Sequence, residues 1–251
     1  MDVDLARVAS AIASARRVTA LTGAGVSAAS GIPTFRGPGG LWKSFKPEAL
    51  ATPAAFTRDP TLVWEWYDWR RQRIRDARPN AAHDVLAAWT RDRPGVTLIT
   101  QNVDGLHERA GTRGAIRLHG SIWELKCWTP CAAGARPWLD ETTPFDTLPP
   151  PCPHCGALAR PAVIWFGEGL DPDITAAAER AAACDVFLSI GTSAIVYPAA
   201  GLLHHAKRYG ALTVEINAEA TEATGVVDVA LRGAAELVLP TIADLIHNRR
   251  A

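Results

Sequence analysis

The sequence predicts an α/β fold: a parallel sheet interrupted by an inserted cysteine-rich module, with a small helical module ahead of it. Three observations carry this. Short apolar, β-branched runs alternate with stretches of helical periodicity, the pattern of strands joined by crossover helices. The first such run, Val18–Thr22, ends in the glycine turn Gly23-Ala24-Gly25. Between Cys127 and Pro161 the periodicity stops, and that segment holds four of the five cysteines and many prolines.

In chain order, Leu5, Val8, Ala9, Ile12 and Ala13 recur at helical spacing, so the N-terminal segment reads as an amphipathic helix docked on the core. Residues 36–55 read as irregular, with Pro38, Gly39, Gly40, Pro47 and Pro53 as breakers. Asp59 caps a helix over 61–75, Pro79-Asn80 closes that segment, and a further helix covers 81–90. Val96–Thr100 is a buried strand that ends at Gln101-Asn102, and 116–118 is a short strand before His119-Gly120. After the insertion, 163–166, Val186–Ile190 and 212–216 read as strands, 173–183 and 198–209 as helices, and 236–239 as a last short strand.

Twenty-six Lys and Arg balance twenty-six Asp and Glu, so bulk charge supplies no attraction for nucleic acid or an anionic membrane. No apolar run approaches the ~20 residues of a membrane span. Asp2 and Asp4 stand where an export signal would be cationic, and no apolar stretch follows them. The expectation is a cytoplasmic monomer with no nucleic-acid or membrane partner and with reduced cysteines. In such a compartment a cysteine cluster points to metal before disulfide.

The residue types then suggest chemistry. Gly23-Ala24-Gly25-Val26-Ser27-Ala28 fits G-x-G-x-x-G/A directly after a strand. That turn either lets backbone amides approach a pyrophosphate or is a tight structural turn. A dehydrogenase would place an acidic strand end ~20 residues on, where this chain has Gly37-Pro38-Gly39-Gly40 instead. Cys127-x3-Cys131 and Cys152-x2-Cys155 can set four thiolates around one Zn²⁺ and leave no position for substrate. Gln101-Asn102-Val103-Asp104 and His119 both follow strands, where open α/β sheets bind ligands. The first is a set of carboxamide or hydroxyl partners or an Asx turn, the second a general base or a structural histidine. Tyr67 and Arg70 share one helix face, which by spacing alone reads as an exposed aromatic–cation contact.

Taken in order, these segments resemble the sirtuin family of NAD-dependent protein deacylases over almost the whole chain. Residues 23–36 resemble its cofactor-loop signature and Gln101-Asn102-Val103-Asp104 its QN-aliphatic-D motif. Leu118-His119-Gly120 is similar to the catalytic histidine segment, the four cysteines to the zinc module and Trp165-Phe166-Gly167-Glu168 to the substrate-groove motif. Gly191-Thr192-Ser193 and Glu215-Ile216-Asn217 resemble later cofactor contacts. Two departures are Thr34, where the family often has Asp, and the x3 spacing of the first cysteine pair.

The resemblance implies a Rossmann-like NAD-binding domain from 1–35, 81–120 and 162–251, a helical and cofactor-loop module over 36–80 and a zinc-binding module over 121–161. It implies NAD as co-substrate, one structural Zn²⁺ on Cys127, Cys131, Cys152 and Cys155, and acylated-lysine proteins or peptides as partners. His119 would be the general base, with Asn102 and Asp104 the other catalytic residues. Gly23, Ala24, Gly25, Ser27, Phe35, Arg36, Trp42, Gln101, Asn102, Val103, Asp104, Gly191, Thr192, Ser193, Asn217 and Ala235 would bind the cofactor. Phe166, Gly167, Glu168 and Val196 would pair with the peptide. The Tyr67-x-x-Arg70 pattern resembles the subgroup that removes malonyl, succinyl and glutaryl groups, with Arg70 on the distal carboxylate and some deacetylation retained. The alternatives are a mono-ADP-ribosyltransferase on the same fold and a zinc-ribbon binding module.

Overall fold

Five consecutive buried residues form the central strand, β1 (Val18–Thr22), of the computed structural model, which describes residues 3–35, 46–129, 131–133 and 136–249. A strand buried on both faces belongs inside a parallel sheet covered by helices. β1 pairs in parallel with β2 (Val96–Thr100) on one side and β7 (Val186–Ile190) on the other. With β3 (Ile116–Arg117), β8 (Leu212–Asn217) and β9 (Val229–Arg232), the sheet order is β3-β2-β1-β7-β8-β9. The chain therefore winds outward in both directions from β1 and β7.

Alternate strand residues feed two cores. Val18, Ala20, Leu98, Leu188 and Val214 pack with α1 (Val3–Ser14), α5 (Ala81–Asp92) and α9 (Ala235–His247). Leu21, Ile99 and Phe187 pack with α7 (Pro172–Ala182) and α8 (Ala199–Arg208). A third core joins α2 (Pro47–Leu50), α3 (Pro53–Arg58) and α4 (Pro60–Asp76) to an antiparallel sheet ordered β5-β4-β6. Its strands are β4 (Gly120–Cys127), β5 (Trp138–Leu139) and β6 (Ala159–Val163). A short helix, α6 (Leu106–Arg109), follows β2.

Three expectations fail. In the stretch read as irregular, Pro47 and Pro53 begin helices instead of breaking them, because the first helical position needs no N–H donor; Thr52 caps α3 by accepting from Ala55 N–H. The strand expected at 163–166 is β6, which ends at Val163 and pairs with β4 in the small sheet, since the buried Arg160 and Pro161 hid its start. The strand expected at 236–239 is the first part of α9. Ala235, Leu239, Ile242 and Ile246 are buried at helical spacing, and the helix runs through Pro240 because that face is packed. Asp59 does cap α4, accepting from Leu62 N–H at 2.9 Å. Among the described residues no helix is long and apolar enough to cross a membrane.

Candidate active site

Loops leaving the C-terminal ends of β1 and β7, where the winding diverges, open a crevice of about 820 Å³. After β1, Ala24–Ser30 form a 3₁₀ turn that Gly31 closes in the left-handed conformation (φ 81°). This turn meets the β7 loop backbone to backbone. Gly25 N–H donates to the Gly191 carbonyl at 2.8 Å. A Cβ on Gly25 would stand 2.7 Å from Gly191 Cα, and one on Gly191 (φ +58°) 2.5 Å from Val26 N, so neither position admits a side chain. Gly23, Ala24, Gly25, Phe35, Gly191, Thr192, Ser193, Asn217 and Ala235 all line the crevice. Thr192 is held from two sides: Gln101 Nε2 donates to its Oγ1 and Asn217 Nδ2 to its carbonyl, each at 2.9 Å. Arg36 and Trp42 lie outside the described residues.

Gln101, Asn102, Val103 and His119 enter the same crevice. His119 Nδ1 lies 3.0 Å from the Gln101 carbonyl oxygen. A carbonyl only accepts, so Nδ1 carries the proton and Nε2 is the basic nitrogen. Burial pushes the His119 pKa below 6.5, with the Gln101 carbonyl opposing. Asn102 Nδ2 donates to the Gly23 carbonyl at 3.1 Å. Ser27 and Asp104 stand one layer behind the wall. Ser27 Oγ donates to Asp104 Oδ2 at 2.8 Å, and Asp104 Oδ1 accepts from Leu106 N–H at 2.9 Å.

Behind them sit two histidines that the motifs did not single out. His107 Nε2 is 2.9 Å from Thr22 Oγ1, and its ring is 4.8 Å from that of His83. Burial, then the nearby His83, lowers the His107 pKa to about 3. Between about 6.5 and 3 the unfolded chain binds a proton that the folded chain refuses, so stability falls as the pH drops through that window. One such group costs on the order of 1.4 kcal/mol per pH unit, or roughly 3–6 °C in Tm. Thermal unfolding from pH 7 to 4 checks this, and His107→Gln is expected to flatten the fall.

Tyr67 and Arg70 are not an exposed pair: they are 2% and 7% exposed and line the crevice. The Tyr67 hydroxyl accepts from Trp165 Nε1 at 2.8 Å. The Arg70 guanidinium lies 4.8 Å from the Trp66 ring, 4.9 Å from Phe35 and 5.9 Å from Tyr67. Among the described residues no carboxylate pairs with it. Burial pushes its pKa below the ordinary arginine value, with Tyr67 and Asp104 opposing. Phe166, Gly167, Glu168 and Val196 complete this end of the crevice.

The thiols of Cys127, Cys131, Cys152 and Cys155 lie within 4.8 Å of one another, with Cys127 and Cys155 Sγ 3.6 Å apart, and no disulfide joins them. Zn–S bonds of about 2.3 Å in a tetrahedron set sulfurs about 3.8 Å apart. The donor set therefore suits one structural zinc, and none of the four lines the crevice. Cys152→Ser is expected to lower bound zinc and soluble yield together. Metal analysis checks it, and a well-folded, zinc-free variant with full activity would contradict a structural role.

The motifs missed several wall residues, among them Ala51, Leu170, Glu219 and Thr221. Residues 218–221 directly follow β8, and their place at a strand's C-terminal end was the available signal. Ala51 carries no such signal; the Phe166 N–H donates to its carbonyl at 2.9 Å, a contact across 115 positions of chain.

Residues 23–198 match the Sir2 family model. The chain is 48% identical to an NAD-dependent protein deacylase of Aquifex aeolicus over 92% of this chain and 96% of that one. Among solved structures, it is similar to a Sir2 homologue in complex with NAD (TM-score 0.90, 43% identity, 98% of this chain and 94% of that one). It is also similar to a Sir2 protein bound to a myristoylated histone peptide (TM-score 0.79, 31% identity, 100% and 99% covered).

Proposed function

This chain belongs to the Sir2 family, and from that premise we propose that it is an NAD-dependent protein-lysine deacylase that removes succinyl and malonyl groups and accepts acetyl groups as well. The observation that carries the acyl preference is Arg70: a buried cation walled by aromatic rings, facing the crevice that holds His119, with no carboxylate partner among the described residues. A buried charge is costly unless paired. A carboxylate at the far end of an acyl chain would supply the pair, and a guanidinium fork suits it.

NAD, as co-substrate, would supply the ribose carbon that the acyl carbonyl oxygen attacks with loss of nicotinamide, and one water, admitted after nicotinamide has left, would release the lysine amine and leave the acyl group on ADP-ribose. The residues of this chain orient and shield. The turns at 23–31 and 191–193 present backbone amides to phosphates. Phe35 covers the reacting face and keeps water from the ribose carbon before the acyl oxygen attacks it. His119 Nε2 takes a proton from a ribose hydroxyl, its tautomer held by the Gln101 carbonyl. Asn102 orients the same ribose, and Asp104 and Ser27 support the nicotinamide end from behind the wall. The peptide enters as an added strand between Gly167-Glu168 and Val196, so that main-chain pairing supplies affinity with little sequence choice. The reading extends to a cytoplasmic monomer, with the 36–80 and 121–161 modules set against the nucleotide-binding unit.

Mass spectrometry with NAD and a succinyl-lysine peptide tests it. The expected products are nicotinamide, succinyl-ADP-ribose and free-lysine peptide. A mass gain on protein would indicate ADP-ribosyl transfer, and no NAD consumption would indicate a binding module.

A further inference from the structure

Arg160, in β6, keeps only 3% of its side chain exposed and lines no part of the crevice. Its two terminal nitrogens reach the two Glu168 oxygens at 2.6 and 3.0 Å. It also donates to the Val163 carbonyl at 2.8 Å and the Pro161 carbonyl at 3.2 Å. Its guanidinium lies 3.4 Å from the centre of the Trp165 ring. Glu168 Oε2 in turn accepts from Trp165 N–H at 2.8 Å, closing a turn in which Gly167 has φ +89°. The same indole donates through Nε1 to the Tyr67 hydroxyl.

One buried cation thus grips two things at once. By its fork it holds Glu168 and the backbone shape of 165–168. By its flat face it holds the Trp165 ring, and through that ring the Tyr67 hydroxyl. A lysine offers a point charge and no planar face, so it can keep the charge but not both contacts. Buried ion pairs add little net stability over apolar packing, and geometric specificity is the better account of one placed beside a binding edge.

We propose that Arg160 is a positioning residue for the acylated peptide: it holds the 165–168 turn in the shape that pairs with the peptide backbone and, through Trp165, sets the Tyr67 hydroxyl at the acyl end. The inference rests on the deacylase reading above. It differs from the role given to Arg70, because an effect on the backbone edge is felt by every acyl group alike.

The test is steady-state kinetics of the full-length protein on succinyl- and acetyl-lysine peptides of one sequence, with NAD affinity measured by calorimetry. Arg160→Lys is expected to raise KM for both peptides by about tenfold or more, for the succinyl peptide at least as much as for the acetyl one, with kcat within about threefold and NAD affinity unchanged. A lowered Tm and active fraction with unchanged peptide KM would overturn it, since that is what a merely structural arginine does. A rise confined to the succinyl peptide would also overturn it. If Arg160→Lys does not fold, Glu168→Gln decides by the same criterion: it breaks the fork and leaves one oxygen for Trp165 N–H. An unmodified protein inactive on both peptides would instead sink the deacylase reading.

Discussion

His119→Ala is expected to abolish deacylation while NAD still binds. The imidazole is the basic group in the crevice whose tautomer is fixed by a main-chain carbonyl, so its loss removes proton transfer at the ribose, worth about 10²–10⁴ in rate. In the proposed reading NAD binding depends on other parts: the turn closed by Gly31, and Gly191-Thr192-Ser193 braced by Gln101 and Asn217. Calorimetry with NAD and a turnover assay on the same preparation check both halves. Lost NAD binding with intact turnover at saturating NAD would reverse the assignment. The pH profile supplies a second check. The base works neutral and burial lowers its pKa, so the acid limb of kcat/KM should fall below pH 6.5, with activity lost as pH drops through it.

The second large effect belongs to Arg70. Arg70→Met is expected to raise KM for a succinyl peptide by more than tenfold, because stranding one charge of a buried pair costs on the order of 2–5 kcal/mol. The acetyl peptide has no distal charge, so its kcat/KM should hold or rise as the pocket becomes apolar. Tyr67→Phe should act in the same direction more weakly. It also leaves Trp165 Nε1 without its acceptor, and the two changes should couple in a double-mutant cycle because both residues would contact one carboxylate. Equal losses on both peptides would make Arg70 a structural residue of α4.

What could be read in advance divides by sequence distance. Val18–Thr22, the glycines after it, the residues after β2, and His119 were legible because a β-branched run, a tight turn and a strand end each leave a local signature. The cysteine pairs were legible because metal ligands keep short spacings. The small sheet was not, since β4 and β6 are made by pairing Lys126 with Arg160 and Cys127 with Ala159 across a segment with no periodicity. Pro47 and Pro53 misled because a proline at the first helical position opens a helix as readily as it breaks one, and whether a helix follows is decided by packing from other parts of the chain. Asp104 belongs to the motif read after β2, but its place behind the wall follows from Ser27 and Leu106. Arg160 left no mark at all, because a guanidinium becomes informative only once Glu168 and Trp165 have folded against it.

The pairing of β1 with β7 bears on how the protein is made. Thr22 lies beside Ile190, so the middle of the sheet joins the first tenth of the chain to its last third. A ribosome adding about 5–20 residues per second needs roughly ten to thirty seconds between the two. Throughout that interval one edge of an entirely apolar and β-branched strand has no partner, and such an edge invites pairing with another chain. Gly191 arrives only with β7, so no nascent fragment ending before it has both walls of the crevice, and the co-substrate cannot rescue the chain by binding early. Fragments ending near residue 183 should therefore aggregate even at saturating NAD, and protection should set in abruptly once β7 and β8 are present. In the cell, the vulnerable species is the unfinished chain.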